Sequence, residues 1–212
     1  PTWNRVGFIF PSRWIYCGGQ IPLVTYQEVF VKEEYAPPII LPPNARILDL
    51  GAHIGLATIY FSIQYPSAQI DSYEANPATY AILEKNLSVM PNANAHLGAV
   101  GSNNGLAQLL IEDTPGVPTD ASIVSRDSSK TGRLISVELL DVRQLVQEPV
   151  DLVKLDIEGA EHDCLDVIDL NPNIIRCLVI EFHDYDRDPS KINKSLMKLK
   201  NFGYSLYDKQ KI

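Results

Sequence analysis

Acidic residues and one histidine lie where three predicted strands end. Asp49 ends one apolar run, Asp156 ends a second, and Glu181 and His183 end a third. In open α/β sheets, ligands bind at the carboxyl ends of the strands. Carboxylates and an imidazole can together accept a proton or hold Mg²⁺ or a similar divalent ion. We therefore treat His183 as a candidate general base, or as a metal ligand together with Asp156 and Glu181.

The turn after Asp49 has the glycine content of a ligand-binding loop. Segment 46–60 predicts a short buried strand, a tight turn bracketed by Gly51 and Gly55, and a helix with apolar residues at helical spacing. Glycine lets the backbone approach a ligand closely, and the following helix N-terminus offers unpaired N–H groups. The G-x-x-x-G spacing differs from the G-x-G-x-x-G of dinucleotide folds and from a P-loop. An ordinary strand-to-helix turn with two glycines is the alternative.

A second predicted strand, 68–74, ends on an acid that could bind a ribose. Glu74 lies 23 positions after Gly51, and an acid at this place can accept hydrogen bonds from vicinal hydroxyls. Asn76 and Pro77 predict the N-cap and first position of the next helix. A solvated acid at a strand end is the alternative for Glu74.

Lys154 lies in a predicted central strand, 151–157. Alternation places Lys154 and Asp156 on the same side of that strand. A buried lysine is costly unless it is paired, so we expect Lys154 to pair with Asp156, Glu158 or Glu161. A structural role at a helix N-terminus is favoured for Glu161, whereas a functional role is favoured for Asp156.

The rest of the chain predicts alternating strands and helices with extra strands in the middle. These elements are a helix at 27–35, a strand at 93–100, short strands at 108–112, 121–125 and 133–138, a helix at 139–146, a helix at 160–170, a strand at 176–183, a helix at 190–201 and a final strand at 203–207. Residues 1–45 form an N-terminal extension, which either covers the substrate side of the cleft or only packs on the sheet.

Composition restricts which molecules this protein is expected to bind and where it is expected to be found. The 212 residues, 45% of them hydrophobic, suit one domain or a domain with an extension. A net charge of −8 without a Lys/Arg cluster argues against nucleic acid. No apolar run approaches the length of a membrane span, and no signal-peptide pattern is present. Cys17, Cys164 and Cys177 are odd in number and widely spaced, which indicates reduced thiols in a cytoplasmic protein.

Taken together, the motifs resemble those of the FkbM family of S-adenosylmethionine (SAM) methyltransferases. They are Leu48-Asp-Leu-Gly-Ala-His-Ile-Gly55, Tyr73-Glu-Ala-Asn-Pro77, Val153-Lys-Leu-Asp-Ile-Glu-Gly-Ala-Glu161 and Glu181-Phe-His183. The K-x-D-x-E-G-x-E block is the most distinctive, and the resemblance covers about residues 27–208. His53 stands where the family usually has Asn, and the usual reversed last strand has no convincing candidate.

This resemblance implies a three-layer α/β/α Rossmann-like sandwich. Its sheet would be mostly parallel, with extra short strands between the third and fourth core strands, and residues 46–212 would bind SAM. The methionine moiety would lie against the glycine turn, the ribose against Glu74, and the adenine near 98–100. The cofactor-binding residues so implied are Asp49, Gly51, Ala52, His53, Gly55, Glu74, Ala75, Ala99, Val100 and Asp156.

The resemblance also implies methyl transfer to a hydroxyl of a sugar or natural-product-type small molecule. Because the methyl group of SAM is already activated, the protein must chiefly position the acceptor hydroxyl and control where its proton goes. The catalytic candidates are His183, Asp156 and Lys154. Two alternatives stay open, a nicotinamide-dependent Rossmann oxidoreductase and a methyltransferase-like protein that binds without catalysis. No motif identifies the acceptor or the oligomeric state.

Overall fold

The computed structural model describes residues 5–10, 13–16, 23–112, 121–123, 132–183 and 189–207. The strands are β1 (Arg5–Phe10), β2 (Arg13–Tyr16), β3 (Arg46–Leu50), β4 (Gln69–Glu74), β5 (Ala93–Leu97), β6 (Ala99–Gly101), β7 (Gly105–Glu112), β8 (Ala121–Ile123), β9 (Gly132–Asp141), β10 (Leu152–Leu155) and β11 (Leu178–Ile180). The helices are α1 (Leu23–Tyr26), which continues into a π-helical turn (Gln27–Val31), α2 (Leu56–Gln64), α3 (Pro77–Leu87), α4 (Val142–Leu145), α5 (Glu161–Val167) and α6 (Pro189–Asn201).

Five parallel strands form the central sheet in the order β11-β10-β3-β4-β5. The chain runs outward from β3 to β5 and then returns to place β10 on the other side of β3. The strand order therefore reverses between β3 and β10, and such a reversal opens a crevice at the carboxyl ends of the two strands. This arrangement confirms the predicted α/β Rossmann-like sandwich with a mostly parallel sheet.

The extra strands form a second sheet in the order β6-β9-β7-β8. They are inserted between β5 and β10, as predicted, and β7 pairs with β9 along its whole length. The predicted strand 93–100 is divided at Gly98, so its two parts join different sheets. A Cβ atom on Gly98 would lie 2.7 Å from Leu140 Cδ1, so glycine allows the second sheet to approach at this break.

Several predicted boundaries were wrong. The first three residues of the predicted helix 139–146 belong to β9, because Leu139 and Leu140 pair with β6, and the helical part is α4. Described residues 204–207 form no strand, and Tyr204 instead donates a hydrogen bond to the Ile175 carbonyl. The predicted strand 176–183 is shortened to β11, which leaves Glu181 and His183 beyond its end. The predicted helix 27–35 is replaced by helical structure over 23–31.

Apolar clusters cover both faces of the central sheet. Along β3, Ile47 faces one cluster and Leu48 and Leu50 face the other, as alternation requires. Cys164 and Cys177 are buried thiols that form no disulfide within the described part of the chain, whereas Cys17 lies outside the described residues. None of the helices in the described parts of the chain has the length and apolar character that a membrane span requires.

We predict that Leu83→Ala lowers the free energy of unfolding by about 2–5 kcal/mol, because it leaves a cavity under α3. Leu83 is fully buried and packs in the same cluster as Phe61. Urea unfolding measures the change. Leu106→Ala, which truncates an exposed leucine of β7, is the matched control and should cost far less. Equal losses in the two variants would contradict this packing.

Candidate active site

The carboxyl ends of β3, β4 and β10 surround a cleft of about 240 Å³. Most of the predicted site residues line it, namely Gly51, Ala52, His53, Glu74, Ala75, Ala99, Val100, Lys154, Asp156, Glu181 and His183. Asp49 and Gly55 do not line it. Asp49 is fully buried beneath the turn, and a Cβ on Gly55 would lie 2.8 Å from Leu83 Cδ1, so Gly55 serves the packing of α2 against α3.

The glycine turn is held between two neighbouring strands. The N–H groups of Gly51 and Ala52 donate to the Tyr73 carbonyl at 3.0 and 2.8 Å. Gly51 has a φ of 82°, and a Cβ there would lie 1.7 Å from the Asp156 carbonyl oxygen. Any side chain at this position would therefore force β3 and β10 apart, so the packing itself requires glycine.

The Glu74 carboxylate is anchored by the backbone and lies at the wall of the cleft. Its Oε2 accepts from the His53 N–H at 2.9 Å and its Oε1 accepts from the Asn76 N–H at 2.8 Å. Burial raises the pKa of Glu74 to about 7, although these two N–H groups lower it in part. Each carboxylate oxygen keeps further acceptor capacity, so Glu74 is fixed in place and still able to accept from a ligand.

Lys154 joins the two central strands through a buried network. Its Nζ donates to the Gly51 carbonyl at 2.9 Å and lies 3.1 Å from both Asp49 Oδ1 and Asp156 Oδ2. Asp49 Oδ2 accepts in turn from Thr58 at 2.6 Å. Burial alone would lower the pKa of Lys154, but the charges of Asp156 and Asp49 raise it above its ordinary value. The predicted pairing with Asp156 is thus present, and Asp49 is a second partner.

Tyr35 enters the cleft from the N-terminal segment and was not predicted as a site residue. Its hydroxyl lies 3.0 Å from Asp156 Oδ2 and 3.1 Å from Glu181 Oε2, and its ring centroid lies 4.8 Å from Lys154 Nζ. Burial and the two carboxylates raise the pKa of Tyr35 above its ordinary value, so it stays a neutral donor. No local motif marks Tyr35, because its partners lie more than a hundred residues away along the chain.

His183 lies among the carboxylates at the mouth of the cleft. Its Nδ1 is 2.9 Å from Glu161 Oε1, and its Nε2 is 3.5 Å from Asp156 Oδ1 and 3.6 Å from Glu158 Oε2. Glu181 Oε1 is more distant from Nε2, at 3.9 Å. Burial alone would lower the pKa of His183, but the hydrogen bond to Glu161 and the charge of Glu158 raise it to about 9.

Glu161 holds the loop that carries Glu158. The Glu161 side chain is wholly buried, and its Oε1 accepts from the Ile157 and Gly159 N–H groups at 3.1 and 3.0 Å. Within this loop Glu158 has a φ of 58°, a conformation that few residues other than glycine adopt. Glu161 therefore has the structural role that the sequence favoured, and it also positions His183.

Comparisons with known proteins agree with this geometry. A family model described as the methyltransferase FkbM domain matches residues 49–206. Methyltransferase 1 of Beauveria bassiana is 27% identical over 209 residues, which cover 85% of this chain and 81% of that protein. Methyltransferase sdnD of Sordaria araneosa is 27% identical over 190 residues, a match that covers 74% of this chain and 73% of that protein. The crystal structure of a fibrillarin/Nop5p complex matches with a TM-score of 0.50 at 13% identity, and the match covers 84% of this chain and 71% of that one. At this identity the match shows a likeness of fold.

We predict that Lys154→Met lowers the free energy of unfolding by about 3–5 kcal/mol at neutral pH, because it leaves buried carboxylates without their counter-charge. The pKa of Asp156 lies below its ordinary value of 3.8. Its attraction to Lys154 therefore stabilises the native state fully above about pH 4 and is lost as the pH falls through the native pKa.

Urea unfolding at several pH values should accordingly show a difference between wild type and Lys154→Met that shrinks in acid. Lys200→Met, which removes an exposed lysine of α6, is the control and should change little. A Lys154→Met variant as stable as the control variant at pH 7 would contradict the network described above.

Proposed function

Because the chain belongs to the FkbM methyltransferase family, we propose that it transfers a methyl group from SAM to a hydroxyl oxygen of a sugar or natural-product-type small molecule. One observation carries the proposal: the Gly51 turn, Glu74, Asp156 and His183 all line a single cleft. A donor bound on one side would face an acceptor on the other. The family favours this activity over the nicotinamide-dependent alternative.

The residues on the turn side fit SAM. The Gly51 backbone borders the cleft at a place where a Cβ would overlap Asp156, and we assign the methionine moiety to this turn, with Ala52 and His53. Glu74 would accept from the ribose hydroxyls with the acceptor capacity that its two N–H partners leave. Ala75, Ala99 and Val100 supply an apolar wall for the adenine. When bound, SAM supplies a methyl group that its sulfonium already activates.

On the opposite side, the protein must position the acceptor and take its proton. His183 Nε2 faces Asp156 and Glu158, and Nδ1 is held by Glu161. This geometry supports the two alternative predicted roles of His183, general base or metal ligand. Both roles need the neutral ring, and because the pKa of His183 is about 9, either role at neutral pH requires the ring to lose a proton. Lys154 has its contacts with Gly51, Asp49 and Asp156 inside the protein, which supports a positioning role for it rather than a catalytic one.

We propose that residues 1–45 act as a cap over the acceptor side. Thr25, Glu28 and Tyr35 line the cleft, while Val29 is buried in the core cluster of α2 and α3. The same segment thus packs on the domain and borders the cleft. Lys154 is the only lysine or arginine among the described residues that line the cleft, which supports a small-molecule acceptor over a polyanion such as nucleic acid.

We predict that calorimetric titration detects binding of SAM and S-adenosylhomocysteine (SAH), but not of NAD. Glu74→Gln should weaken SAH about 10- to 100-fold, since a hydrogen bond to a charged group contributes about 1.5–3 kcal/mol. Because the pKa of Glu74 is about 7, wild-type affinity should fall as the pH drops below 7, when a proton occupies one acceptor position. The Glu74→Gln variant should lack that pH dependence.

Glu84→Gln, an exposed substitution on α3, is the matched control and should bind SAH like wild type. Thermal unfolding of each variant separates lost binding from lost folding. Binding of NAD alone would refute the proposed donor.

We predict that His183→Ala reduces methyl transfer about 10²- to 10⁴-fold, the usual contribution of a proton-transfer residue, and leaves SAH affinity within a factor of about three. The measurement is SAH release with an acceptor drawn from a panel of sugars and hydroxylated natural products. His96→Ala removes a histidine that pairs with Asp71 on the central sheet and should retain turnover. Full turnover in His183→Ala would exclude both roles of this side chain.

A further inference from the structure

The geometry points to a binding site for a divalent transition-metal ion formed by Asp156, Glu158 and His183, here called the acid–imidazole cluster. Its three residues line the cleft, on the side that we propose for the acceptor. The role of such an ion in methyl transfer rests on the proposed function, but the existence of the site does not. The cluster differs from the sequence prediction, which placed Glu181 in the ligand set instead of Glu158.

Three donor atoms converge in the cluster. One donor atom from each of Asp156, Glu158 and His183 lies within 4.8 Å of the other two. His183 Nε2 is 3.5 Å from Asp156 Oδ1 and 3.6 Å from Glu158 Oε2, too far for good hydrogen bonds. Donors that surround one ion at bond lengths of about 2.1 Å stand about 3.0–3.4 Å apart. The two distances from His183 Nε2 are therefore close to those of donors around one ion, and a carboxylate oxygen of Asp156 lies at most 4.8 Å from one of Glu158.

Partners outside the cluster already orient two of its donors. Asp156 Oδ2 is engaged by Lys154 Nζ at 3.1 Å and by the Tyr35 hydroxyl at 3.0 Å, which directs Oδ1 toward His183. His183 Nδ1 is held by the wholly buried Glu161, so Nε2 is the nitrogen presented to the cleft. A carboxylate that fixes the far nitrogen of a histidine is the usual support of a metal-ligating imidazole.

The local charge also favours a cation. Lys154 is shared between Asp49 and Asp156, and the neighbouring Glu158 and Glu181 add negative charge at the cleft. Glu181 itself is engaged with the Tyr35 hydroxyl at 3.1 Å. Its other oxygen, Oε1, is 3.9 Å from His183 Nε2 and thus farther than the oxygens of Asp156 and Glu158, which is the reason to leave Glu181 out of the ligand set.

An imidazole among the donors selects the class of ion. Mg²⁺ prefers oxygen ligands in a strict octahedron, whereas Mn²⁺, Fe²⁺ and Zn²⁺ accept a mixture of imidazole and carboxylate. The sequence predicted Mg²⁺ or a similar divalent ion, and within that class we assign a first-row transition metal. Three protein donors leave coordination positions open toward the cleft, where two adjacent oxygens of an acceptor could bind and one hydroxyl could be acidified. The acceptor class that follows is a molecule with vicinal oxygen groups.

Mn²⁺ alone is the probe that tests the site. Protein freed of metal by chelation is titrated with Mn²⁺, and the free ion is followed by electron paramagnetic resonance. We expect one saturable site, weakened at least 10-fold in Glu158→Gln and in His183→Gln. Glu181→Gln should change the affinity less than threefold, and Glu148→Gln, an exposed glutamate before β10, should not change it.

Absence of saturable Mn²⁺ binding would overturn the inference, as would a Glu158→Gln variant that binds like wild type. Displacement of Mn²⁺ by equimolar Mg²⁺ would overturn the assignment to a transition metal. Circular dichroism and thermal unfolding confirm that each variant is folded.

SAH titration of the same samples separates this inference from the proposed function. Protein that binds SAH but not Mn²⁺ would refute the metal site and leave the methyltransferase proposal standing. Protein that binds Mn²⁺ but not SAH would support the metal site and refute the proposed donor.

Discussion

The buried ammonium of Lys154 is the interaction on which the site depends. It lies between Asp49 of β3 and Asp156 after β10, and it also donates to the Gly51 carbonyl in the turn. Removing a lysine and two carboxylates from water is costly, and the cost is offset only when every charge has a close partner. The network therefore fixes the two strands and the glycine turn in one relative position.

That position joins the two halves of the cleft. On one side, the turn held by Lys154 brings the His53 N–H to Glu74. On the other side, the Asp156 carboxylate that pairs with Lys154 also accepts from Tyr35 and lies near His183. The surfaces proposed for donor and acceptor are thus parts of one connected set of contacts, and a disturbance of either strand end should reach both. The proposed methyl transfer would need such a connection, because its two substrates must be held at a fixed distance and angle.

Local patterns predicted the central sheet well. β3 and β10 are short strands buried on both faces, as parallel strands require. The Asn76-Pro77 pair caps the start of α3, with Asn76 Oδ1 accepting from the Ala78 N–H. Strand alternation also placed Lys154 beside Asp156. These features depend on neighbours in sequence, or on a single strand, and are therefore readable without a structure.

The missed features depend on contacts between distant segments. Tyr35 carries no motif, and its role appears only when Asp156 and Glu181 are brought to it. The predicted helix 139–146 begins with apolar residues that suit either element, and pairing with β6 makes 139–141 a strand, while 142–145 are helical. Gly98 was not recognised as a break, because what requires glycine there is the Leu140 side chain of another strand. Tertiary contacts overrode local preference in each case.

The K-x-D-x-E-G-x-E block both stabilises the fold and supplies residues to the candidate site. Lys154 and Asp156 form the buried pair, and Glu161 closes the loop by accepting two backbone N–H groups. With the loop so closed, Glu158 and Gly159 can adopt left-handed conformations, which are costly for a glutamate and persist only where surrounding contacts impose them. The result of that strain is a Glu158 carboxylate beside Asp156 and His183. The spacing of the block therefore serves two purposes. Asp156 neutralises the buried Lys154, and Glu158 is placed where it lines the cleft.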